Sequence, residues 1–316
     1  MLKVFMGLLF GMFLAMFFST TARAGAIAYT QIRHQKLKEK PAIVLCAFGT
    51  STKAQVTFDF FEKRVREEFP DYDVRWAFTS EVIREKMNRI FTKKGLNKRL
   101  HSLHEVLATL YAEGYRKVVV QPLHIFPGLE YKNVVEICER FPDLRIVVGE
   151  PLLFRWEYVK EVLEVVSKEF LPPEEGINIL VAHGTDVTIN GANITYLGLD
   201  WLVRKHYSNV LVGTVEGVPD AEVPLKEALK YPAKKVRFVP FMFVAGDHIM
   251  NDIMGKDLED GEKSWREIVE EGGKEADCVT AEVNGKVYYK GLGLYPEIDE
   301  FFVKQIKRAL DILDQY

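Results

Sequence analysis

Short apolar runs alternate with amphipathic stretches along most of the chain. Ala42 to Phe48, Asp73 to Thr79, Lys117 to His124 and Leu144 to Leu153 are brief, apolar and bounded by Gly, Pro or polar residues, and read as strands. Between them residues 53–68 place Val56, Phe60, Phe61 and Val65 on one helical face. Ser80 is a cap for a helix beginning at Glu81, a further helix is expected from a cap at Asn97 to a stop at Gly114, and others span 130–140 and 157–170. Leu171-Pro172-Pro173 then breaks the pattern. Beyond it Ile177 to Asp186, Asn209 to Gly217 and Lys235 to His248 read as strands, with helices over 195–206, 223–229, 265–271 and 296–313. Residues 251–264 are acidic and Gly-containing, a solvated loop or lid, and residues 279–289 are extended around a turn at Asn284-Gly285.

The pattern restarts after residue 173. LCAFGTS at 45–51 matches LVAHGTD at 180–186, and VVVQPLHIFPG at 118–128 matches VRFVPFMFVAG at 236–246. The expected fold is therefore α/β, with two similar Rossmann-like halves over 41–173 and 174–316, each a parallel sheet flanked by helices, and a cleft between them.

Ligands of open α/β sheets gather beyond the carboxyl ends of the strands. Three strands of the second half end there in His183, Glu216 and the pair Asp247-His248, each about one βαβ unit from the next. Two imidazoles and a carboxylate make an open divalent-metal site, with imidazole suiting Co, Ni, Fe and Zn alike. A single His at a strand end is more often a hydrogen-bonded structural residue, so the weight lies on the three together. Where the second half has His183 the first has Phe48, which predicts metal ligands on one side of the cleft and an apolar wall on the other.

The 316 residues are 48% hydrophobic and 28% charged with a formal charge of −3, and show no basic block or aromatic-interleaved Lys/Arg stripe, so nucleic acid is not an expected partner. Lys3, the apolar run Val4 to Phe18 and Ala22-Arg23-Ala24 form a signal-peptide pattern over 1–24, cleaved after Ala24. The run is short for a membrane span, so the expectation is a periplasmic protein with no span after cleavage and a flexible leader over 25–40. Cys46, Cys138 and Cys278 form no C-x-x-C pair; spacing leaves a bridge between Cys138 and Cys278 open. GLGLYP at 291–296 lacks the βαβ context of a dinucleotide site.

FGTS at 48–51, FPDYDVRWAFTSEVI at 69–83, VVVQPLHIFPGLEY at 118–131, AHGT at 182–185, VGTVEGVP at 212–219 and PFMFVAGDHIMNDIMG at 240–255 resemble the CbiK family of anaerobic cobalt chelatases, over nearly all of the mature chain. The resemblance implies the chelatase fold shared with ferrochelatases. It also implies insertion of Co(II), or Fe(II), into the tetrapyrrole sirohydrochlorin for cobalamin synthesis, with no organic cofactor. His183, Glu216 and His248 would be the metal-binding and catalytic residues, with Asp247 and Asn251 orienting His248. Thr50, Ser51 and Thr185 are candidate donors to the carboxylate-rich macrocycle, Phe48, Phe126, Phe241 and Met242 candidate apolar surface, and His124 an additional metal or haem contact. A second expectation, from the export pattern, is a periplasmic tetrapyrrole, haem or metal carrier on the same scaffold, feeding a transporter. A homo-oligomer is expected only as the general habit of enzymes.

Overall fold

The computed structural model describes residues 36–187, 189–256 and 262–315. The expected signal peptide and most of the leader lie outside the described residues. From Lys40 onward the chain forms one contact unit. Its first sheet contains β1 (Ala42–Ala47), β2 (Asp73–Phe78), β3 (Lys117–Pro122) and β4 (Arg145–Val148), all parallel, in the order β2-β1-β3-β4. Its second contains β5 (Gly176–Gly184), β6 (Val210–Glu216), β7 (Lys235–Pro240) and β8 (Glu275–Cys278), also parallel, in the order β6-β5-β7-β8. In each half the first strand of the set is central and flanked by the second and third, so the duplication seen in the sequence is a duplication of topology. The turn after β1 and the turn at the end of β5 share a left-handed glycine, Gly49 at φ 107° and Gly184 at φ 77°.

The helices of the first half are α1 (Val56–Glu68), α2 (Glu81–Lys93), α3 (Leu103–Ala112), α4 (Leu129–Glu139) and α5 (Trp156–Val166). Those of the second are α6 (Ala192–His206), α7 (Glu222–Lys230) and α8 (Trp265–Glu271), followed by a hairpin of β9 (Thr280–Val283) and β10 (Lys286–Tyr289) and by α9 (Pro296–Gln315). The central strands are apolar on both faces because each face is covered. Ile43, Leu45 and Ala47 of β1, with Leu180 and Ala182 of β5, belong to one inner core with Phe61 of α1, Val162 of α5, Tyr196 of α6 and Phe302 of α9. The alternate residues face outward. Ala42, Val44 and Cys46 pack with Leu107 and Val134, while Ile177, Ile179 and Val181 pack with Leu225 and Trp265. Two sheets therefore share an inner layer of helices and each carries its own outer layer.

The last helix crosses back. α9 packs on β3 and β4 and against α1 and α5, and Lys117 Nζ of β3 donates to the Leu313 carbonyl at 2.9 Å. Arg64 of α1 joins Glu68 of its own helix to Glu300 of α9. The final 20-residue helix is thus spatially part of the first half although it follows the second in sequence.

Several boundaries differ from those expected, each for a local reason. The helix expected from Asn97 starts at Leu103, because Ser102 and Glu105 form a capping box that satisfies two orphan N–H groups reciprocally. The run Lys235 to His248 stops as a strand at Pro240, after which the Phe241 N–H donates to the Val181 carbonyl and the chain turns. Residues 249–253, expected largely as loop or lid, form a π-helix. Cys138 packs in the outer core of the first half and Cys278 beside that of the second; all three thiols are free, so the bridge left open between Cys138 and Cys278 does not form. Among the described residues no helix is long and apolar enough to cross a membrane.

A candidate metal centre at the ends of the second sheet

β5 and β6 run side by side to their carboxyl ends, where Gly184 stands level with Glu216. The two ends interlock through glycine. A Cβ at Gly184 would overlap the Glu216 carbonyl, and a Cβ at Gly217, φ 102°, would overlap the Thr185 carbonyl. Asn193 in the first turn of α6 ties both loops, donating from Nδ2 to the Thr185 carbonyl at 2.9 Å and accepting from the Val218 N–H at 3.3 Å. These contacts hold the segment bearing His183 against the segment bearing Glu216. The third segment follows β7, which pairs with the other side of β5, and presents His248 immediately before the π-helix.

The three side chains meet. One potential ligand atom from each of His183, Glu216 and His248 lies within 4.8 Å of the others, and the imidazole rings are perpendicular, with centroids 4.7 Å apart. Both histidines are half-buried and Glu216 is exposed, so the group opens to solvent on its carboxylate side.

The contacts of the rings choose their tautomers. His183 Nδ1 lies 3.0 Å from the Gly184 carbonyl, which can only accept, so Nδ1 carries the hydrogen and Nε2 keeps its lone pair. His248 Nδ1 lies 2.6 Å from Asp252 Oδ2, and donation to that carboxylate likewise leaves Nε2 free to bind a cation. Ligands at ~2.1 Å from one ion stand roughly 3–4 Å apart, so the three side chains, now within 4.8 Å of one another, would draw together by about an ångström on binding it. Two neutral imidazoles and a carboxylate supply three bonds to a dication and leave further positions to water or substrate, unlike a closed structural site.

The sequence profile described as Cobalt chelatase (CbiK) matches residues 41–311, which takes in both sheets, most of α9 and all three converging residues. The chain belongs to the CbiK cobalt chelatase family. Among its CbiK-type relatives is the sirohydrochlorin cobaltochelatase CbiKC of Nitratidesulfovibrio vulgaris, 32% identical over 261 residues that cover 80% of this chain and 86% of that one. The sirohydrochlorin cobaltochelatase of Salmonella typhimurium is 26% identical over 279 residues, covering 86% and 97%. The CbiK fold has solved counterparts in SirB from Bacillus subtilis with Fe3+ (TM-score 0.55, 15% identity, 87% of this chain and 98% of that one) and in the sirohydrochlorin chelatase SirB from Bacillus subtilis subspecies spizizenii in complex with cobalt (TM-score 0.50, 14% identity, 86% and 96%). At these identities the likeness speaks for the fold alone.

The remaining candidate residues of this CbiK chain are placed as follows. Phe48 is half exposed at the end of β1. Thr50 is buried, its hydroxyl 3.0 Å from that of Thr52 and accepting the Thr52 N–H, so it serves the turn into α1. That turn nonetheless reaches the metal side, because Gly246, two residues before His248, packs bare backbone against the Thr50 hydroxyl. Ser51 beside it is half-buried. The Thr185 hydroxyl accepts the Val187 N–H and closes the turn after β5. Met242 packs against the outer core of the second half, Phe241 is fully buried in the inner core, and Phe126 meets Tyr196 edge to face at 5.3 Å. None of those three contacts is with the metal residues.

His124 stands apart from the metal group. Neither ring nitrogen has a hydrogen-bond partner or contact with solvent, although the ring is only half-buried overall, and burial pulls its pKa down to about 4. It is a neutral imidazole at any physiological pH.

Asp247 and Asn251, expected to orient His248, bond to one another at 3.1 Å. The residue that holds His248 is Asp252, four positions on along the π-helix. Its signal was the spacing H-x-x-x-D, which brings a carboxylate under the imidazole only if the segment is helical. Read as loop, the spacing carried no message.

Proposed function

We propose that this chain inserts Co(II) into sirohydrochlorin at the His183, Glu216 and His248 centre, on the outer side of the cytoplasmic membrane. The observation that carries the reading is the convergence of those three side chains from three strand ends, with both histidine tautomers set to offer Nε2. Metal insertion exchanges two pyrrole protons for one dication. The protein must therefore hold an incompletely bound cation and accept protons as the metal leaves. His183 and His248 hold the cation through Nε2. As the metal transfers to the macrocycle, each freed Nε2 becomes a base at the position where a pyrrole proton departs. Glu216, the exposed member, adds charge neutralisation and passes protons toward solvent. Asp252 stabilises His248 in either protonation state by accepting from Nδ1.

The affinity order of divalent ions does not single out cobalt over iron, so availability selects the metal. The signal-peptide pattern at 1–24 supports export, which requires that the macrocycle be supplied outside the cytoplasm. The test uses purified protein, sirohydrochlorin, and Co(II) or Fe(II), followed by the absorption change of the macrocycle. The expected result is catalysed insertion that falls at least a hundredfold in His183→Ala and His248→Ala. Tight macrocycle binding with insertion no faster than in buffer would overturn the enzyme reading in favour of a carrier.

A further inference from the structure

We propose that the excursion formed by residues 79–101 draws in and seats the carboxylate-rich macrocycle, with Arg84 as its contact nearest the strand ends. The ligand is that of the function proposed above, on which this reading rests.

The excursion is what the first half has and the second lacks. β2 and β3 are joined by residues 79–116, whereas β6 and β7 are joined by residues 217–234, a connection less than half as long. Each connection contains a helix packed on the outer core of its half, α3 in one and α7 in the other, so the surplus is residues 79–101. The surplus leaves and returns at one point, where the Phe78 N–H donates to the His101 carbonyl at 2.9 Å. It does little to cover the sheet, since Met87 is the one buried residue of α2.

Its charge is unlike that of the rest of the chain. With a formal charge of −3 overall, the protein places seven Lys and Arg against two Glu in residues 79–101. Spaced singly or in pairs they form no block in the sequence, but a closed excursion confines them to one small element. Arg89 pairs with Glu85 at 3.5 Å and Arg99 with Glu105 at 3.0 Å. Among the described residues Arg84, Lys86, Lys93, Lys94 and Lys98 form no ion pair, and the four lysines are exposed. Like charges four residues apart on a helix, as at Arg89 and Lys93, destabilise it, whereas a set of unneutralised cations raises the local concentration of an anion.

The contacts of α2 lead to the metal side. Met87 receives a hydrogen bond from Gln55 Nε2 at 3.5 Å, and the same nitrogen donates to the Thr50 carbonyl at 3.2 Å. The Thr50 hydroxyl in turn abuts Gly246, two residues before His248. Arg84 Nη1 donates to the Phe78 and Thr79 carbonyls at 2.7 and 2.9 Å, which uses both of its hydrogens and holds the half-buried guanidinium at the end of β2. Nε–H and Nη2–H remain, the edge that grips a carboxylate through two parallel bonds. The lysines act at longer range, as point charges on flexible stems. By contrast, segments 183–193, 216–223 and 241–255, which follow the strands of the second half, hold six Asp and Glu and no Lys or Arg. The opposed signs suit the two reactants: a dication at the acidic strand ends and an anionic macrocycle at the basic excursion.

Stopped-flow binding of sirohydrochlorin to the purified chain without metal reads the macrocycle alone. Lys93→Gln, Lys94→Gln and Lys98→Gln together are expected to slow association at least ~tenfold at low salt and to flatten its salt dependence, with circular dichroism unchanged and Co(II) affinity not weakened. Arg84→Gln is expected to raise the dissociation constant ~tenfold or more, and Arg84→Lys, which keeps the charge but not the fork, to recover part of the loss. Because Arg84 also holds two backbone carbonyls, the exposed-lysine variant carries the test if Arg84→Gln fails to fold. Equal charge removed from other exposed positions, by Lys160→Gln, Lys230→Gln and Lys234→Gln, is expected to leave association as it was. Binding indifferent to the lysines and to Arg84 alike, or slowed as much by the distant lysines as by those of the excursion, would overturn the proposal. A chain that binds the macrocycle through the excursion but inserts no metal upholds this proposal and removes the enzyme reading. Insertion at rates indifferent to the excursion does the reverse.

Discussion

At the scale of single residues, the proposed centre turns on Asp252, a carboxylate outside the converging group that holds the His248 ring. Asp252 engages His248 Nδ1 and so leaves Nε2 as the nitrogen open to a cation, and loss of such a partner typically costs 10–100-fold in metal affinity. Asp252→Ala is therefore expected to weaken Co(II) binding by at least tenfold in a direct titration. Asp252→Asn, which can still accept from Nδ1–H, should retain more affinity than Asp252→Ala. Equal losses in the two would count against a positioning role. A buried carboxylate, Asp299 on α9, behaves differently. Neither of its oxygens has a partner, and burial raises its pKa to about 9, with Glu300 adding to the rise and Arg64 opposing it. The folded state then holds a proton that the unfolded chain releases near pH 4, so this group's contribution to stability falls as pH rises from about 4 to about 9. Asp299→Asn should flatten that slope and raise the melting temperature at pH 8 more than at pH 5; identical shifts at the two pH values would contradict the account.

At the scale of elements, the glycine-locked ends of β5 and β6 do the positioning. Gly184→Ala would force a side chain into the Glu216 carbonyl at a left-handed φ. The expected cost is ~1–2 kcal/mol for the backbone conformation alone, read by denaturant unfolding, together with loss of metal binding. Retention of full Co(II) affinity would show that the two loops need not interlock. This level is also where the sequence was most legible. Brief apolar runs bounded by glycine, proline or polar residues located the strands, and the matched FGT and HGT turns revealed that β1 and β5 are equivalent. His183, Glu216 and His248 could be read as strand-end residues because parallel strands all deliver their ends to one edge. Legibility failed past Pro240, where the apolar run continues but the strand does not. Met242 was read as cleft and packs outward, and Asp252 was hidden in a segment whose helicity depends on packing.

At the scale of the whole molecule, two duplicated sheets share one inner layer of helices, and the chain's last helix closes the half that its first strands began. No local pattern announces that return, since α9 reads as an ordinary amphipathic helix wherever it docks. Phe302, Ile306, Leu310 and Leu313 are buried there, and side chains of this kind contribute ~1.5–3 kcal/mol each. Removing residues 296–316 should therefore unfold the first half, seen as loss of cooperative melting. The same architecture makes the metal centre a property of the second sheet, with the first half lending the turn at Thr50 that abuts Gly246. The most direct measurement of the central claim is cobalt anomalous scattering from crystals soaked in Co(II). A single strong peak at about 2.1 Å from the Nε2 atoms of His183 and His248, with Glu216 completing three ligands, is the result expected. A cobalt bound through Nδ1, or bound elsewhere while these three side chains stay apart, would contradict it.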